Sequence, residues 1–376
     1  MSPIRKVLSM AALLGAAACA GGSSGPGVGA VLPGARSPAL NVAVTPSNSL
    51  AIQAQAAAVH FLDTFVTADG RVLRPDQGND IVSEGQAYGM LLAEIAGRPQ
   101  TVRTIWAWTQ RHLQRSDALI SWHATASGSV LDHQSATDAD VLTAFALLRY
   151  DGLDDTALRA DGRRVASAIL GHEAVGLPGG NLVLVAGPWA TSAPATVNPS
   201  YWMPSVFRAL ARFTGDGRWS RAATASVTLL AQLTANGRRL PPDWAALHGS
   251  TATATAAPGG SPAAQYGLDA QRIPVWLATG CSTAERALTA RWWSILAPTA
   301  RARALALSLT GQVVNSATNP LPFIASAAAA RAAGDTAAWA RLLADAAIQA
   351  RQTPTYYGDA WLGLGTALFA GRLGTC

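Results

Sequence analysis

A helix start and an acidic side chain coincide in residues 82–90, VSEGQAYGM. Ser83 and Gln86 have the spacing of a capping box, in which the Ser hydroxyl caps the helix and the Gln side chain returns to the Ser amide. Apolar residues then recur at helical spacing as far as Ala96. The segment therefore predicts a helix whose first turn carries Glu84.

The same helical spacing of apolar residues recurs along most of the chain and predicts an all-α protein of about a dozen helices. No segment shows a convincing strand alternation. Short turns between successive helices predict antiparallel helical hairpins, arranged as either a closed ring or a solenoid, and no fixed-length repeat favours the solenoid. The predicted helices are Leu50–Val66, Glu84–Ala96, Thr101–Leu113, Asp138–Tyr150, Ala157–Leu170, Tyr201–Phe213, Trp219–Ala235, Ile273–Thr279, Ala284–Leu296, Ala300–Leu309, Leu321–Ala333, Thr336–Ala350 and Gly358–Leu373.

Two further carboxylates stand at predicted helix starts. Asp138 lies in residues 135–140, SATDAD, and Asp269 lies in residues 265–272, QYGLDAQR. Acidic side chains are scarce in this chain, so three that converge on one cleft indicate acid/base chemistry on a bond that needs a proton donor and a proton acceptor. Glycosidic bonds are the commonest such substrate.

Each carboxylate also has a purely structural interpretation. Asp138 and Asp140 fit first-turn acids behind a Thr cap, and Asp269 fits an ion pair with Arg272. Glu84 fits a first-turn acid favoured by the helix dipole. That dipole lowers the pKa of a carboxyl, whereas a general acid needs a raised one, so burial and a second carboxylate would have to outweigh it at Glu84.

Aromatic residues supply a second indication of function. Three long irregular segments, residues 116–137, 171–200 and 236–267, interrupt the helices, and two of them run into a singled-out Asp. Sugar rings pack their apolar faces on Trp and Tyr, so a groove lined by these aromatic residues suits a polysaccharide. The residues in or beside the three segments are Trp122, Trp189, Tyr201, Trp202 and Trp244.

Composition and motifs argue against several other classes of protein. The chain has 376 residues, 49% of them hydrophobic, which is enough for one large core or two ordinary domains. Its +6 charge comes from scattered Arg, with Lys6 the only lysine, so a nucleic-acid partner is not predicted. No His stands at zinc-site spacing, and the pair Gly363 and Gly365 lacks the third Gly of a dinucleotide loop. We therefore predict no metal and no cofactor.

The N-terminal residues predict export. In residues 1–20 a basic start precedes an apolar stretch that is shorter than the roughly 20 residues needed to span a bilayer, which is typical of a signal peptide and predicts a periplasmic or secreted protein. Lipidation of Cys19, which would tether the protein to a membrane, is the alternative to cleavage. Residues 21–48 predict a flexible Gly/Ser/Pro tether, and residues 49–376 a single catalytic domain.

Two cysteines remain beyond the export signal. Cys281 and Cys376 are expected either to form a disulfide in an oxidising compartment or to stay as unpaired thiols.

Taken together, the motifs resemble glycoside hydrolase family 8 from about Ala51 to Leu373. The resemblance implies an (α/α)6 barrel with catalytic loops on one face, and hydrolysis that inverts the anomeric centre. It rests on five segments in the order of the family: residues 83–90, residues 136–140, Asn198-Pro199-Ser200-Tyr201 with Pro204, Pro242-Asp243-Trp244, and residues 266–272.

The same resemblance implies roles for individual residues. Glu84 would be the general acid, Asp269 the general base that activates water, and Asp138 the residue that binds and distorts the central sugar. Tyr201 would position the water, and Trp122 would stack on a sugar. Further predicted substrate contacts are Tyr88, Asp140, Trp202 and Arg272.

The resemblance also implies a substrate, a β-1,4-glucan, and a partner, the cellulose synthase export complex. The expected activity is that of a secreted endo-β-1,4-glucanase that cuts cellulose chains. Hydrolysis of chitosan or xylan on the same scaffold is an alternative, although Asp269 followed by Arg272 looks like the glucanase pattern. A catalytically silent polysaccharide-binding protein is a third hypothesis.

Overall fold

A computed structural model of the chain describes residues 46–150, 155–260 and 263–374. Within these residues, twelve helices alternate between an inner and an outer ring, and a thirteenth is a single turn. The inner helices are α2 (Ser83–Ile95), α4 (Thr137–Arg149), α6 (Pro204–Thr214), α8 (Arg272–Ala278), α11 (Pro320–Ala332) and α13 (Tyr356–Phe369). The outer helices are α1 (Pro46–Phe65), α3 (Pro99–His112), α5 (Thr156–His172), α7 (Arg218–Leu233), α9 (Thr283–Leu296) and α12 (Thr336–Gln352), and the single turn is α10 (Thr299–Ala302).

The inner ring closes on itself. Each inner helix contacts the next one along the chain, and α13 returns to contact α2 and α1. Inner helices are buried almost all round, as α2 is, whereas outer helices such as α3 bury one apolar face and expose the other. The architecture is therefore an (α/α)6 barrel, as predicted, and the solenoid alternative is excluded.

Glycines in α13 explain how closely the inner helices pack. A Cβ placed on Gly363 would lie 2.6 Å from the side chain of Leu92 in α2, and one on Gly365 would lie 2.6 Å from Ile324 in α11. Such distances are shorter than carbon–carbon contacts allow, so a larger residue at either position would require the neighbouring side chain to move. The Gly363 and Gly365 pair thus serves helix packing.

The barrel also carries short strands, which no sequence pattern had indicated. Ten short strands form four antiparallel sheets among the described residues, and at two to six residues each they are too short for a period-two pattern to be recognised. Sheets β1-β2-β3 and β6-β7-β8 contain β1 (Ile81–Val82), β2 (Ser121–Ala124), β3 (Val130–Ser135), β6 (Ala195–Val197), β7 (Trp244–His248) and β8 (Thr251–Thr255). Two hairpins pair β4 (Ala174–Leu177) with β5 (Asn181–Leu184), and β9 (Ala306–Leu307) with β10 (Val313–Asn315).

The predicted helix Ala300–Leu309 is wrong beyond Ala302. The chain leaves the helical conformation after Ala302, and Leu307 exchanges two backbone hydrogen bonds with Tyr266, at 2.8 and 2.9 Å. Pairing with Tyr266 satisfies backbone groups that a longer helix would have bonded internally, and it supports the segment that leads to Asp269.

The export signal, residues 1–20, and most of the tether, residues 21–45, lie outside the described residues, as do Cys19 and Cys376. Cys281 is disulfide-bonded. In the part of the chain that the structure covers, no helix combines the length and the apolar character needed to span a membrane.

The predicted capping box is wrong because Ser83 is already the first helical residue, and the extended Val82 stands at the N-cap with no side-chain cap. The buried Gln86 side chain turns away from the helix end. It accepts a hydrogen bond from Val72 N at 2.7 Å and donates to Gly70 O at 3.0 Å and Thr109 Oγ1 at 2.8 Å. Thr137 likewise begins α4 without capping it.

We expect Gln86→Ala to lower the free energy of unfolding by about 3 kcal/mol, because the buried groups at Val72 and Gly70 lose their hydrogen-bond partner. Urea denaturation measures the loss. Gln100→Ala, at an exposed position on α3, is the control and should change stability by no more than about 0.5 kcal/mol. Equal losses in both variants would contradict the bridging role of Gln86.

Candidate active site

The guanidinium of Arg272 lies between the three carboxylates that the sequence singled out. Its Nη1 donates to Asp138 Oδ2 at 2.7 Å and to Glu84 Oε2 at 3.4 Å, and its Nη2 donates to Asp269 Oδ1 at 3.1 Å. Arg272 is only 2% exposed. The structure therefore brings Glu84, Asp138 and Asp269 together around one buried cation.

The barrel places these residues at one end of the inner ring. Glu84 and Asp138 are each the second residue of an inner helix, α2 and α4, and Arg272 is the first residue of α8. Asp269 precedes Arg272 by one turn. Because their side chains meet at helix N-termini, the inner helices α2, α4 and α8 direct the same end toward the cluster.

The Glu84 carboxyl is suited to hold a proton. Burial raises its pKa to about 8; the charge of Arg272 opposes this shift, and the charges of Asp138 and Asp269 add to it. Its Oε1 is buried and accepts no hydrogen bond from any described residue. As the sequence required, burial and neighbouring carboxylates outweigh the helix dipole. Burial also raises the pKa of Asp138, against the effect of Arg272.

Asp269 is held on both of its carboxylate oxygens. Asn198 Nδ2 donates to Oδ2 at 3.0 Å, while Arg272 holds Oδ1. Ser200 links the two donors, since its Oγ donates to Asn198 Oδ1 at 2.6 Å and accepts from Arg272 Nη2 at 2.5 Å. Asn198 and Ser200 carried the family resemblance, but their position in the site was not predicted.

The loop that carries Asp269 is fixed by a further carboxyl, that of Asp243. Its Oδ1 accepts from Gly267 N at 2.9 Å and from Ala270 N at 2.8 Å. Burial, with the charge of Asp269 second, raises the pKa of Asp243 to about 7. A Cβ on Gly267 would lie 2.5 Å from Asp243 Oδ2, so a larger residue there would displace the Asp243 carboxyl. The sequence identified Asp243 as a landmark without indicating this support.

Three of the predicted substrate-binding residues border the cluster. Tyr88 accepts a hydrogen bond from Arg272 Nη1 at 3.3 Å, and the Tyr201 ring faces the Arg272 guanidinium at 5.5 Å from its centroid. Trp122, 8% exposed, packs on Val82 and on Ala136, directly before α2 and α4. Their proposed contacts with a sugar stay predictions.

The structure gives the other two predicted contacts different surroundings. Trp202 is fully buried, and its indole N–H donates to Leu184 O at 2.9 Å, as expected of a core residue. Asp140 is also fully buried and accepts from Ile120 N at 2.9 Å. Because neither residue exposes surface to a ligand, the structure gives no support for a sugar contact by either, and the same holds for the fully buried Tyr88.

Sequence reasoning missed two tyrosines at the start of α13. Tyr357 is partly exposed, its hydroxyl donates to Leu268 O at 3.4 Å, and it lies within the electrostatic reach of Glu84 and Arg272. Tyr356 packs so closely on Gly85 that a Cβ there would lie 2.8 Å from its hydroxyl. The predicted helix began only at Gly358, which left this aromatic pair outside any element.

Comparison with known families identifies the chain. The family model for glycosyl hydrolases family 8 matches residues 36–366. This chain belongs to that family. Within the described residues of this family 8 protein, no group of three or more His, Cys, Asp or Glu side chains is arranged to bind a metal ion.

The similar proteins carry endoglucanase names. A protein of Novacetimonas hansenii named "Probable endoglucanase" is 32% identical over 57% of this chain and 64% of its own length. "Endoglucanase A" of Acetivibrio thermocellus is 30% identical over 54% of this chain and 42% of its own length. The chain thus matches less than two thirds of the length of these relatives.

Two solved structures show the same fold at lower identity. An endo-β-1,4-glucanase from Acetobacter xylinum superposes with a TM-score of 0.69 at 23% identity, over 86% of this chain and 98% of that one. A β-1,3-1,4-glucanase from Paenibacillus sp. X4 superposes with a TM-score of 0.76 at 20% identity, over 87% and 93% of the two chains. Both likenesses support the (α/α)6 barrel of this family 8 member.

We expect the Glu84 carboxyl to titrate at about pH 8 in a ¹³C NMR titration, with the signal assigned by its loss in Glu84→Gln. Asp138→Asn should lower this pKa, because it removes a neighbouring negative charge, whereas Asp63→Asn on the exposed face of α1 should not change it. A Glu84 pKa near the ordinary value of about 4.3 would contradict the interpretation.

The raised pKa of Glu84 also determines how the free energy of unfolding changes with pH. Because the folded state holds the Glu84 proton more tightly than the unfolded chain does, this group stabilises the fold below its unfolded pKa, and the contribution is lost as pH rises toward about 8. Glu84→Gln should therefore show a smaller decrease in unfolding free energy over that range than the native protein does.

We expect Gly267→Ala to reduce kcat for glycoside hydrolysis by about 100-fold, because the added methyl group displaces Asp243 and with it the loop that bears Asp269. Gly171→Ala on α5, where a Cβ meets no atom within 4 Å, is the matched control and should retain full activity. Initial-rate kinetics on both purified variants make the comparison. A fully active Gly267→Ala protein would show that the Asp243 contact does not position Asp269.

Proposed function

We propose that this family 8 protein is an inverting endo-β-1,4-glucanase that hydrolyses cellulose chains. The observation that carries the proposal is that Glu84, which is suited to hold a proton, and Asp269 both contact the guanidinium of Arg272. Glycoside hydrolysis by inversion needs one carboxylic acid and one carboxylate on opposite sides of the scissile bond.

The two carboxyl groups differ in the way that this reaction requires. Glu84 keeps its proton because it is buried, and its unpartnered Oε1 is the atom from which that proton passes to the glycosidic oxygen. Asp269 accepts hydrogen bonds from Arg272 and Asn198, and its side chain is 13% exposed, so water reaches it. Asp269 then takes a proton from the water that attacks the anomeric carbon.

The separation of the two groups is compatible with inversion. Glu84 and Asp269 contact different terminal nitrogens of one planar guanidinium, at 3.4 and 3.1 Å, so the facing oxygens are no more than roughly 9 Å apart. Inverting enzymes hold their carboxyl groups about 6.5–9.5 Å apart to leave room for the water. In this proposal Asp138 binds the central sugar and Tyr201 orients the water.

The cellulose substrate is supported by the relatives and by the site sequence. The curated relatives in Novacetimonas hansenii and Acetivibrio thermocellus are named endoglucanases. Asp269 followed by Arg272 looks like the glucanase pattern, and the two side chains are in direct contact. Chitosan is a poor second candidate, because a chain of net charge +6 does not attract a cationic polymer. A catalytically silent binding protein would not need three carboxylates around Arg272.

We propose further that the protein acts outside the cytoplasm, near the site of cellulose export. The signal-like residues 1–20 and the disulfide at Cys281 support an oxidising compartment. Cell fractionation and the intact mass of the mature N-terminus test the location and distinguish cleavage from lipidation of Cys19. Co-purification with the cellulose synthase complex tests the partner.

The deciding assay measures reducing-end release from carboxymethylcellulose, mixed-linkage β-1,3-1,4-glucan, xylan and chitosan by the purified mature protein. We expect hydrolysis of carboxymethylcellulose, with Glu84→Gln and Asp269→Asn reducing kcat by at least about 100-fold. Proton NMR of the first products should show the α-anomer, as inversion at a β-linkage requires. Preference for another polymer would show that cellulose is not the substrate, and a β-anomer would overturn the inverting mechanism.

A control separates loss of the acid from loss of the fold. Glu84→Gln should retain activity on an aryl cellobioside with a good leaving group, because that departure needs no proton. The native protein should lose activity on carboxymethylcellulose as pH rises through about 8, where Glu84 loses its proton. Equal loss on both substrates would contradict the role of Glu84 as acid.

A further inference from the structure

Two buried carboxyl groups lie beneath Asp138, and the mechanism above uses neither. Asp140 is in the first turn of α4, two residues after Asp138, and Glu173 follows the end of α5. Both residues are fully buried, with 0% exposure. Carboxylates are rarely found so deep in a protein unless a cation or several donors neutralise them, so this pair requires a physical account.

Each carboxyl has one oxygen with a donor and one without. Asp140 Oδ1 accepts from Ile120 N at 2.9 Å, and Glu173 Oε1 accepts from Ser135 Oγ at 2.6 Å. Asp140 Oδ2 and Glu173 Oε2 make no hydrogen bond of ordinary geometry with a described residue, although the two carboxyl groups are close enough to interact with each other and the Thr137 hydroxyl lies within reach of Glu173. Two ionised carboxylates cannot hydrogen-bond to each other, but a single proton between them satisfies both oxygens.

We propose that Asp140 and Glu173 share one proton, forming a carboxylic acid–carboxylate pair that positions Asp138 beneath the bound sugar. The role assigned to Asp138 rests on the proposed glycosidase function, whereas the shared proton does not. Asp140 and Glu173 are then positioning residues, which act through Asp138 and do not touch the substrate.

The contacts around the pair connect the first turn of α4, the residues beside strand β2, strand β3 and the end of α5. Asp140 ties the first turn of α4 to Ile120, beside strand β2, and Glu173 ties the end of α5 to Ser135 of strand β3. The Glu173 backbone is fixed in turn, because its carbonyl accepts from Val185 N at 2.8 Å. The hydrogen bond through the shared proton thus joins α4 to the end of α5 next to the helix turn that carries Asp138.

The electrostatic surroundings are consistent with a retained proton. Burial is the largest influence on both groups; it raises the pKa of Glu173 to about 7 and that of Asp140 well above its ordinary value. Asp138 is the charged side chain among the described residues that raises the pKa of both, and Arg272 faces Asp138 from the other side. Loss of the shared proton would place two negative charges side by side under a third.

Amide variants distinguish a shared proton from simple packing. In Asp140→Asn the amide oxygen still accepts from Ile120 N, and the amide group donates permanently to Glu173; Glu173→Gln is the converse replacement. Both should keep kcat within about threefold of the native value at neutral pH. Asp140→Ala, which removes the bond, should lower kcat by about 100-fold with a smaller change in KM.

Two readouts that need no turnover test the proton itself. In a Glu84→Gln background, the infrared carbonyl band of a buried protonated carboxyl should decrease in either amide variant. The unfolding free energy of the native protein should fall more steeply from about pH 4 upward than that of Asp140→Asn, because only the native folded state binds this extra proton.

The outcomes separate the two proposals. An unchanged infrared band, or the same pH dependence of stability in the native protein and Asp140→Asn, would overturn the shared proton whatever polymer is cleaved. Equal kcat values for Asp140→Asn and Asp140→Ala would overturn the positioning role. If neither the native protein nor the amide variants hydrolyse any polymer, the proposed function is wrong. The proposed positioning of Asp138 for a substrate is then wrong as well. The infrared and stability measurements still decide whether Asp140 and Glu173 share a proton.

Discussion

The contact between Arg272 and three carboxylates is the constraint on which the rest of the site depends. A buried guanidinium is stable only when its donors are satisfied, and here Glu84, Asp138, Asp269 and Ser200 satisfy them from four separate segments. These short contacts require the N-termini of α2, α4 and α8 to meet at one point. Closure of the inner ring brings these three N-termini together, and the contacts with Arg272 then hold them in place.

Contacts with one cation also make two chemically similar carboxyls different. Glu84 receives the longer contact from Arg272, keeps one oxygen without a donor and is almost fully buried. Asp269 has a donor on each oxygen and is partly open to water. Desolvation therefore favours the proton on Glu84, while hydrogen bonding favours the charge on Asp269. In the proposed mechanism, an acid and a base thus result from environment alone, without any difference in the functional group.

The sequence predicted those parts of the site that are encoded locally. Glu84 and Asp269 stand in short motifs with a helix start nearby, so their convergence could be inferred before the fold was known. Asp243 and Asn198 act on Asp269 across about 26 and 71 residues of chain, and no local pattern reveals such contacts. Trp202 was assigned to the substrate because it lies beside a long loop, and its burial depends on tertiary packing that composition does not specify.

The same tertiary contacts give the site a second layer of buried carboxyls. Asp243 accepts backbone N–H groups beneath Asp269, and Asp140 accepts a backbone N–H beside Asp138. A carboxyl oxygen is a strong acceptor, and in a buried environment its bond to an amide is hard to replace by water. Reactive groups on irregular segments are thereby held as firmly as groups on helices. Asp243 directly precedes strand β7, so its hydrogen bonds with Gly267 and Ala270 tie the segment that carries Asp269 to the start of the β7–β8 hairpin.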